Sequence, residues 1–283
     1  MATEPSFGPL VSPAWLAEHS NDPDLRIVDA TWYLPHLGRD ARAEFRQAHI
    51  PGAVYFDIDA IADRTRGLPH MLPGAATFGE AVGALGIGDG DRVVAYGGRH
   101  LIASARVWWT FRAFGHDRVA VLDGGLPQWR EEGRPLEVGE PSPGRRRFTA
   151  RFRPELVAAL DALRRNLETH RKQVVDARSA GRFRATEPEL RPGLRGGHIP
   201  GSLNLPYDRL FHPDGTLMSP DELRGLFAAA QVALDGPVVT TCGSGVSACV
   251  LALGLHRLGR PDVAVYDGSW TEWGGRDDVP VER

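Results

Sequence analysis

The stretch Thr240-Thr241-Cys242-Gly243-Ser244-Gly245-Val246-Ser247-Ala248 decides the reading of this chain. Upstream, residues 237–241 are β-branched and follow Gly236, which predicts a short buried strand. Downstream, residues 246–258 are rich in Ala, Leu and Val and stop at Gly259, which predicts a buried helix. Cys242 thereby falls at the carboxyl end of a strand, on a tight turn into a helix. Gly243 and Gly245 let the backbone curl so that successive N–H groups point at one spot. Those donors and the helix N-terminus favour negative charge, so the pattern predicts a lowered thiol pKa and a thiolate nucleophile. A lone cysteine at a strand end is more often an inert buried thiol. The glycine bracket and the hydroxyls of Ser244 and Ser247 favour the nucleophile, because a structural cysteine needs no cradle of donors.

At 283 residues the chain has room for about two domains, each with its own core. Its 42% hydrophobic and 24% charged content is that of a soluble globular protein. A net charge of −3 gives no basic footprint for nucleic acid or an anionic membrane. No apolar run approaches the roughly 18 residues of a membrane span. Met1-Ala2-Thr3-Glu4-Pro5 lacks the basic and apolar regions of a secretory signal, so a cytoplasmic, reducing location is expected. Cys242 and Cys249 are too few for a disulfide framework and lack zinc-ligand spacing; neither a metal nor a cofactor is expected.

The chain then shows the same programme twice. Ile27-Val28-Asp29-Ala30 is echoed by Val174-Val175-Asp176-Ala177, and His49-Ile50-Pro51-Gly52-Ala53 by His198-Ile199-Pro200-Gly201-Ser202. Thr77-Phe78-Gly79-Glu80 and Ser219-Pro220-Asp221-Glu222 both have the spacing of a capping box. Val119-Ala120-Val121-Leu122-Asp123-Gly124 returns as Val263-Ala264-Val265-Tyr266-Asp267-Gly268. The offsets of 147, 149, 142 and 144 residues are collinear, which implies a duplicated domain. Domains are expected over 8–136 and 154–283, joined by a Gly-, Pro- and Arg-rich linker at 137–153. Strands alternate with helices in each half, so each should be an α/β domain with a mainly parallel sheet flanked by helices. Ligands of such sheets bind at the carboxyl ends of strands, where Cys242 lies. The matching loop of the first half, residues 96–105, has no cysteine and reads as two residues longer.

At this point the residues resemble a known family. Cys242-Gly243-Ser244-Gly245-Val246-Ser247-Ala248 is similar to the active-site loop of the two-domain, tandem rhodanese family, in its 3-mercaptopyruvate sulfurtransferase branch. The resemblance extends to both His-Ile-Pro-Gly segments, to the Arg-Val-Trp-Trp-Thr-Phe-Arg-Ala-Phe-Gly run at 106–115, and to both Asp-Gly-x-x-x-x-Trp segments. It implies a sulfurtransferase that takes sulfur from 3-mercaptopyruvate onto Cys242 as a persulfide, and passes it to cyanide or a thiol such as thioredoxin. It also implies that Arg182 and Arg191, nine residues apart, hold the substrate, with Gly243, Gly245, Val246 and Ser247 forming the cradle. Asp59 and His70 match the stretch that supplies an acid and a histidine near the nucleophile, with Ser244 passing a proton. Because both come from the first half, the resemblance implies a site between the domains. Ser247 stands where the branch usually has Thr, and Leu190 where it usually has Pro.

Three rivals are weighed against that expectation. A thiosulfate:cyanide sulfurtransferase shares the mechanism but carries basic residues just after the cysteine. A Cys-x5-Arg phosphatase is rejected, since position 248 is Ala. A non-catalytic sulfur carrier would not require the arginine pair. The paired histidines His49 and His198 are expected to be structural, because only one half carries the cysteine. Trp129, Trp270 and Trp273 are expected in cores, and Cys249 as a packing residue.

Overall fold

Twice over, strand-and-helix alternation folds into a five-stranded, fully parallel sheet in the computed structural model, which describes residues 7–283. The first sheet has the order β1-β5-β4-β2-β3. Its strands are β1 (Leu10–Val11), β2 (Leu25–Asp29), β3 (Ala53–Tyr55), β4 (Arg92–Tyr96) and β5 (Val119–Leu122). The second repeats that order as β6-β10-β9-β7-β8. It is built from β6 (Val157–Ala158), β7 (Gln173–Asp176), β8 (Leu203–Asn204), β9 (Val238–Thr241) and β10 (Ala264–Tyr266). Parallel neighbours need crossover connections, and helices supply them. The helices of the first half are α1 (Pro13–His19), α2 (Ala41–Gln47), α3 (Ile58–Ile61), α4 (Ala75–Ala84), α5 (Ile102–Ala113) and, after the last strand, α6 (Gly125–Glu131). The second half adds α7 (Leu160–Thr169), α8 (Ala180–Phe183), α9 (Pro220–Ala229), α10 (Ala248–Arg257) and α11 (Ser269–Trp273).

The chain packs as two compact units whose membership departs from the sequence halves. Unit 1 runs to Ile61 and adds Pro73–Phe152 and Pro213–Leu217. Unit 2 holds Ala62–Leu72, Arg153–His212 and Met218–Arg283. Each half thus lends a short segment to the other unit.

Within unit 1, Leu16, Ile27, Phe45, Ile50, Val94, Tyr96, Leu122 and Trp129 form a buried cluster. Leu163, Val174, Ile199, Val239, Tyr266, Trp270 and Trp273 do the same in unit 2. The three expected core tryptophans are buried, and Trp129 and Trp273 each donate Nε1–H to a proline carbonyl (Pro135 and Pro280) at 2.8 Å. His49 Nδ1 meets the Phe45 carbonyl at 2.8 Å and its ring stacks on Phe45. His198 repeats this with Phe183, at 2.9 Å. One contact pattern in both units gives these histidines the structural role expected of them.

Residues 137–152 are part of unit 1. Glu137 bridges His49 backbone to backbone, Arg146 pairs with Asp91 at 2.8 Å, and the Phe148 ring meets Phe78 and Phe111 edge-on. A Cβ at Gly83 would stand 2.4 Å from the Arg146 carbonyl oxygen, so that glycine permits the close approach.

Two expectations of local register are corrected. Thr77 does not cap a helix, because α4 already begins at Ala75 with Gly74 as its N-cap. Its true counterpart is Gly74, 145 residues before Ser219, whose capping box with Glu222 is intact. The chance spacing of Thr77 and Glu80 inside α4 mimics a box. Nor is the first-half loop two residues longer, since six positions separate Tyr96 from Ile102 and seven separate Thr241 from Ala248. Arg99–Leu101 folds instead as a tight 3-10 turn, with His100 and Leu101 in the left-handed region.

Candidate active site

Strand β9 is central in its sheet, paired with β7 through Asp176↔Thr241 and with β10 through Val265↔Thr240. Cys242 is the next residue. The chain leaves the sheet there, at the carboxyl edge, and crosses five more residues, 243–247, without regular structure before α10. Gly245 has φ +75°, which a side chain would strain. Among the described residues, no acceptor takes the N–H groups of Gly243, Ser244, Val246 or Ser247. Ser247 sits at the N-cap of α10, yet its hydroxyl does not cap the helix. Four amides of the loop are therefore left without an acceptor among the described residues. That arrangement suits an anion held at the cysteine sulfur.

The carbonyls of the same loop are tied down. Trp270 N–H donates to the Cys242 carbonyl at 2.9 Å, and both N–H and Oγ1 of Thr271 donate to the Gly243 carbonyl at 2.8 and 2.7 Å. The Cys242 N–H donates to Ser269 Oγ at 3.2 Å, and Ser269 Oγ donates in turn to the Tyr266 carbonyl at 2.7 Å. Ser269 holds φ +49° to do this. Start of α11 and cysteine loop are thus one hydrogen-bonded assembly. Cys242 and Ser244 are both buried. Cys249 is also buried, its Sγ donating to the Gly245 carbonyl at 3.2 Å, as befits a packing residue.

Arg182 lies on α8, whose N-cap Ser179 accepts from the Arg182 N–H. Its Nε and Nη2 both meet Glu189 Oε2, at 3.2 and 2.7 Å. Nη2 would stand 3.0 Å from a Cβ placed on Gly243, so the absence of a side chain at 243 lets the guanidinium come up to the cysteine loop. The Glu189 side chain is buried and shared, since its Oε1 takes Arg178 Nη1 at 2.7 Å. Arg178, with no exposed side-chain surface, also grips Asp176 at 2.6 Å and lies over the Trp270 ring at 4.3 Å. Two cations and two carboxylates balance one another here. Arg178 is a buried brace, and Arg182 is the member that reaches the loop.

Arg191 Nη2 approaches His70 Nε2 at 3.4 Å. A guanidinium only donates, so Nε2 is the accepting atom of this contact. His70 is buried, with φ +60°, on the segment that the first half lends to unit 2. Arg191 and Glu189 both line an open cavity of about 410 Å³ formed by residues 185–196. Asp59 belongs to unit 1, on α3, where its Oδ2 accepts from Trp32 Nε1 at 2.8 Å. Cys242, Gly243, Ser244, Gly245, Val246, Ser247, Arg182, Arg191 and His70 all belong to unit 2, while Asp59 belongs to unit 1.

Sequence reasoning passed over three residues. Glu189 and Ser269 are legible only through their partners. Tyr207 follows β8 at the same carboxyl edge as Cys242, and that position was the available signal. Burial holds its phenol above its ordinary pKa, and the charges of Asp208 and Cys242 add to that while Arg182 opposes it.

The profile of the rhodanese-like domain matches residues 12–132 and again 159–276. Human 3-mercaptopyruvate sulfurtransferase is 49% identical over 270 residues, 93% of this chain and 91% of that protein. Rat thiosulfate sulfurtransferase is 45% identical over 272 residues, with the same coverage of 93% and 91%. The crystal structure of SseA from Escherichia coli, described as a 3-mercaptopyruvate sulfotransferase with the rhodanese fold, superposes with a TM-score of 0.86. It is 40% identical, over 93% of this chain and 99% of that one. With two matched domains and relatives this similar over nearly their full length, the chain belongs to the rhodanese family of sulfurtransferases and carries the domain twice.

Proposed function

We propose that this protein is a 3-mercaptopyruvate sulfurtransferase that uses Cys242 as the sulfur-accepting nucleophile. The observation that carries the reading is the loop at residues 242–247: four amides without an acceptor among the described residues, no cationic side chain, and one guanidinium, Arg182, brought up at Gly243. Thiosulfate is a compact dianion and calls for cations beside the sulfur. Mercaptopyruvate has a single carboxylate set away from its sulfur, which a guanidinium beside the loop suits better.

In this reading Arg182 and Arg191 take the carboxylate and the adjacent carbonyl oxygen. The Cys242 thiolate attacks the substrate sulfur, and the S–S bond forms as the C–S bond breaks. The electron pair passes to carbon as the enolate of pyruvate, which the arginines stabilise and which then takes up a proton. Ser244 and His70 are the groups of unit 2 proposed to handle that proton. The outer persulfide sulfur, as an anion, is held by the loop amides. A second nucleophile attacks that sulfur and regenerates the Cys242 thiolate. Cyanide leaves as thiocyanate; in the cytoplasm the acceptor would be a small thiol or a thioredoxin.

Side-by-side steady-state kinetics with 3-mercaptopyruvate and thiosulfate test this reading. A clear preference in kcat/KM for mercaptopyruvate is expected. Equal values for the two donors would favour the thiosulfate enzyme instead.

A further inference from the structure

The carboxylate of Asp267 accepts the backbone N–H of Leu72 at 2.8 Å. Leu72 ends the segment Ala62–Leu72, which comes from the first half of the sequence but packs in unit 2. His70, which meets Arg191, is two residues upstream of that amide. Asp267 also opens the turn that secures the nucleophile: Ser269 accepts from the Cys242 N–H, and Trp270 and Thr271 donate to the carbonyls of Cys242 and Gly243. One five-residue turn therefore fixes the cysteine loop and, at its first residue, the segment carrying His70.

Unit 1 repeats the device. Asp123 Oδ1 accepts the N–H of Leu217 at 2.8 Å, and Leu217 ends the segment Pro213–Leu217 that the second half lends to unit 1. Leu72 and Leu217 are 145 residues apart, and Asp123 and Asp267 are 144 apart, so both partners obey the offset of the duplication. The aspartate of each Asp-Gly-x-x-x-x-Trp segment holds a borrowed strip of chain by its last amide.

We propose that Asp267 is a positioning residue of the active site, acting through the Leu72 amide to hold His70 against Arg191. A buried carboxylate that accepts a backbone N–H makes a charge-assisted bond, which resists fraying of a short segment without regular structure. His70 has φ +60°, a conformation an untethered histidine would leave. The latch at Leu72 adds to the bond from the Asp63 N–H to the Met71 carbonyl at 2.9 Å in keeping it there. The proposal rests on the reading of His70 as part of the site, and the experiment separates the two.

The full-length chain is compared with Asp267→Ala, Asp267→Asn, His70→Gln and the double variant Asp267→Ala/His70→Gln, with Asp123→Ala as the unit 1 counterpart. Hydrogen exchange at the Leu72 amide and kcat/KM with 3-mercaptopyruvate are measured for each. Asp267→Ala is expected to speed Leu72 exchange at least tenfold and to lower kcat/KM by roughly tenfold. Asp267→Asn keeps an oxygen acceptor and is expected to recover most of both. Asp123→Ala should speed exchange at Leu217 and leave Leu72 protected. In the double variant the loss should be no greater than in His70→Gln alone. Unchanged Leu72 exchange in Asp267→Ala overturns the latch, as do strictly additive losses in the double variant. A fully active His70→Gln overturns the assignment of His70, and Leu72 exchange still reports on the latch independently. Should Asp267→Ala fail to fold, Asp267→Asn with the same protection and activity as wild type supports the acceptor role, and loss of both in that variant contradicts it.

Discussion

Gly97 occupies in unit 1 the position that Cys242 occupies in unit 2. Tyr96, just before Gly97, gives its carbonyl to the Ala30 N–H at 2.7 Å, and Thr241, just before Cys242, gives its carbonyl to Ala177 at 2.8 Å. The Gly97 carbonyl accepts from Leu126, as that of Cys242 accepts from Trp270, both at 2.9 Å. The backbone frame is shared and the chemistry is not. After Gly97 the chain turns through His100 and Leu101 in left-handed conformation, and Gly125 stands where unit 2 has Ser269.

A cysteine alone should therefore not create a second site. A Cβ on Gly97 would have nothing closer than 3.9 Å, so Gly97→Cys is expected to fold with little change in Tm. After incubation with 3-mercaptopyruvate, peptide mass spectrometry should find added sulfur on Cys242 and none on the new cysteine. Loading at both would mean that strand-end placement suffices and the cradle is dispensable.

Ser269→Ala removes the acceptor of the Cys242 N–H. A buried donor left without a partner costs about 1–3 kcal/mol. A matching fall in stability by denaturant titration is expected, with kcat reduced more than KM is raised. Ser269→Gly relieves the positive φ of that residue but not the lost acceptor, so it should recover part of the stability and little of the activity.

Breaking the Glu189 pair should be costly, because it leaves two arginines facing a buried gap. Removing one partner of a buried ion pair typically destabilises by about 3–5 kcal/mol, which is the expectation for Glu189→Ala. Glu189→Gln keeps one oxygen acceptor and should fold. With Arg182 no longer drawn to Oε2, its KM for mercaptopyruvate should rise roughly tenfold. An unchanged KM would detach Arg182 from substrate binding.

How much of this was legible in the sequence depends on distance along the chain. The strand before Cys242, the helix after it and the duplication are local or periodic signals, and the two parallel sheets follow from them. The segment exchange was not legible, because Ala62–Leu72 has no pattern that distinguishes packing on one unit from packing on the other. Arg182 and Arg191 could be named through the resemblance. Glu189 could not, since a carboxylate among arginines reads as surface charge until both guanidiniums are seen to converge on it. Thr77 shows the converse failure, in which a spacing of hydroxyl and carboxylate resembles a cap inside a helix that has already begun.

Loss of one arginine contact should change donor selectivity as well as rate. Each charge-assisted contact to the carboxylate is worth about 1.5–3 kcal/mol, or roughly ten- to a hundredfold in kcat/KM. Arg191→Ala is therefore expected to lose that much with mercaptopyruvate and much less with thiosulfate, so that the preference between donors shrinks. Equal losses for both donors would point to a structural role for Arg191.

The central claim, that Cys242 carries the sulfur, is tested most directly by mass spectrometry of the protein after a single turnover with 3-mercaptopyruvate and no acceptor. One added sulfur atom should map to the Cys242 peptide, with stoichiometric pyruvate released, and neither product should form with Cys242→Ser. Equal loading of Cys242→Ser, or sulfur found on Cys249 in the wild type, would contradict it.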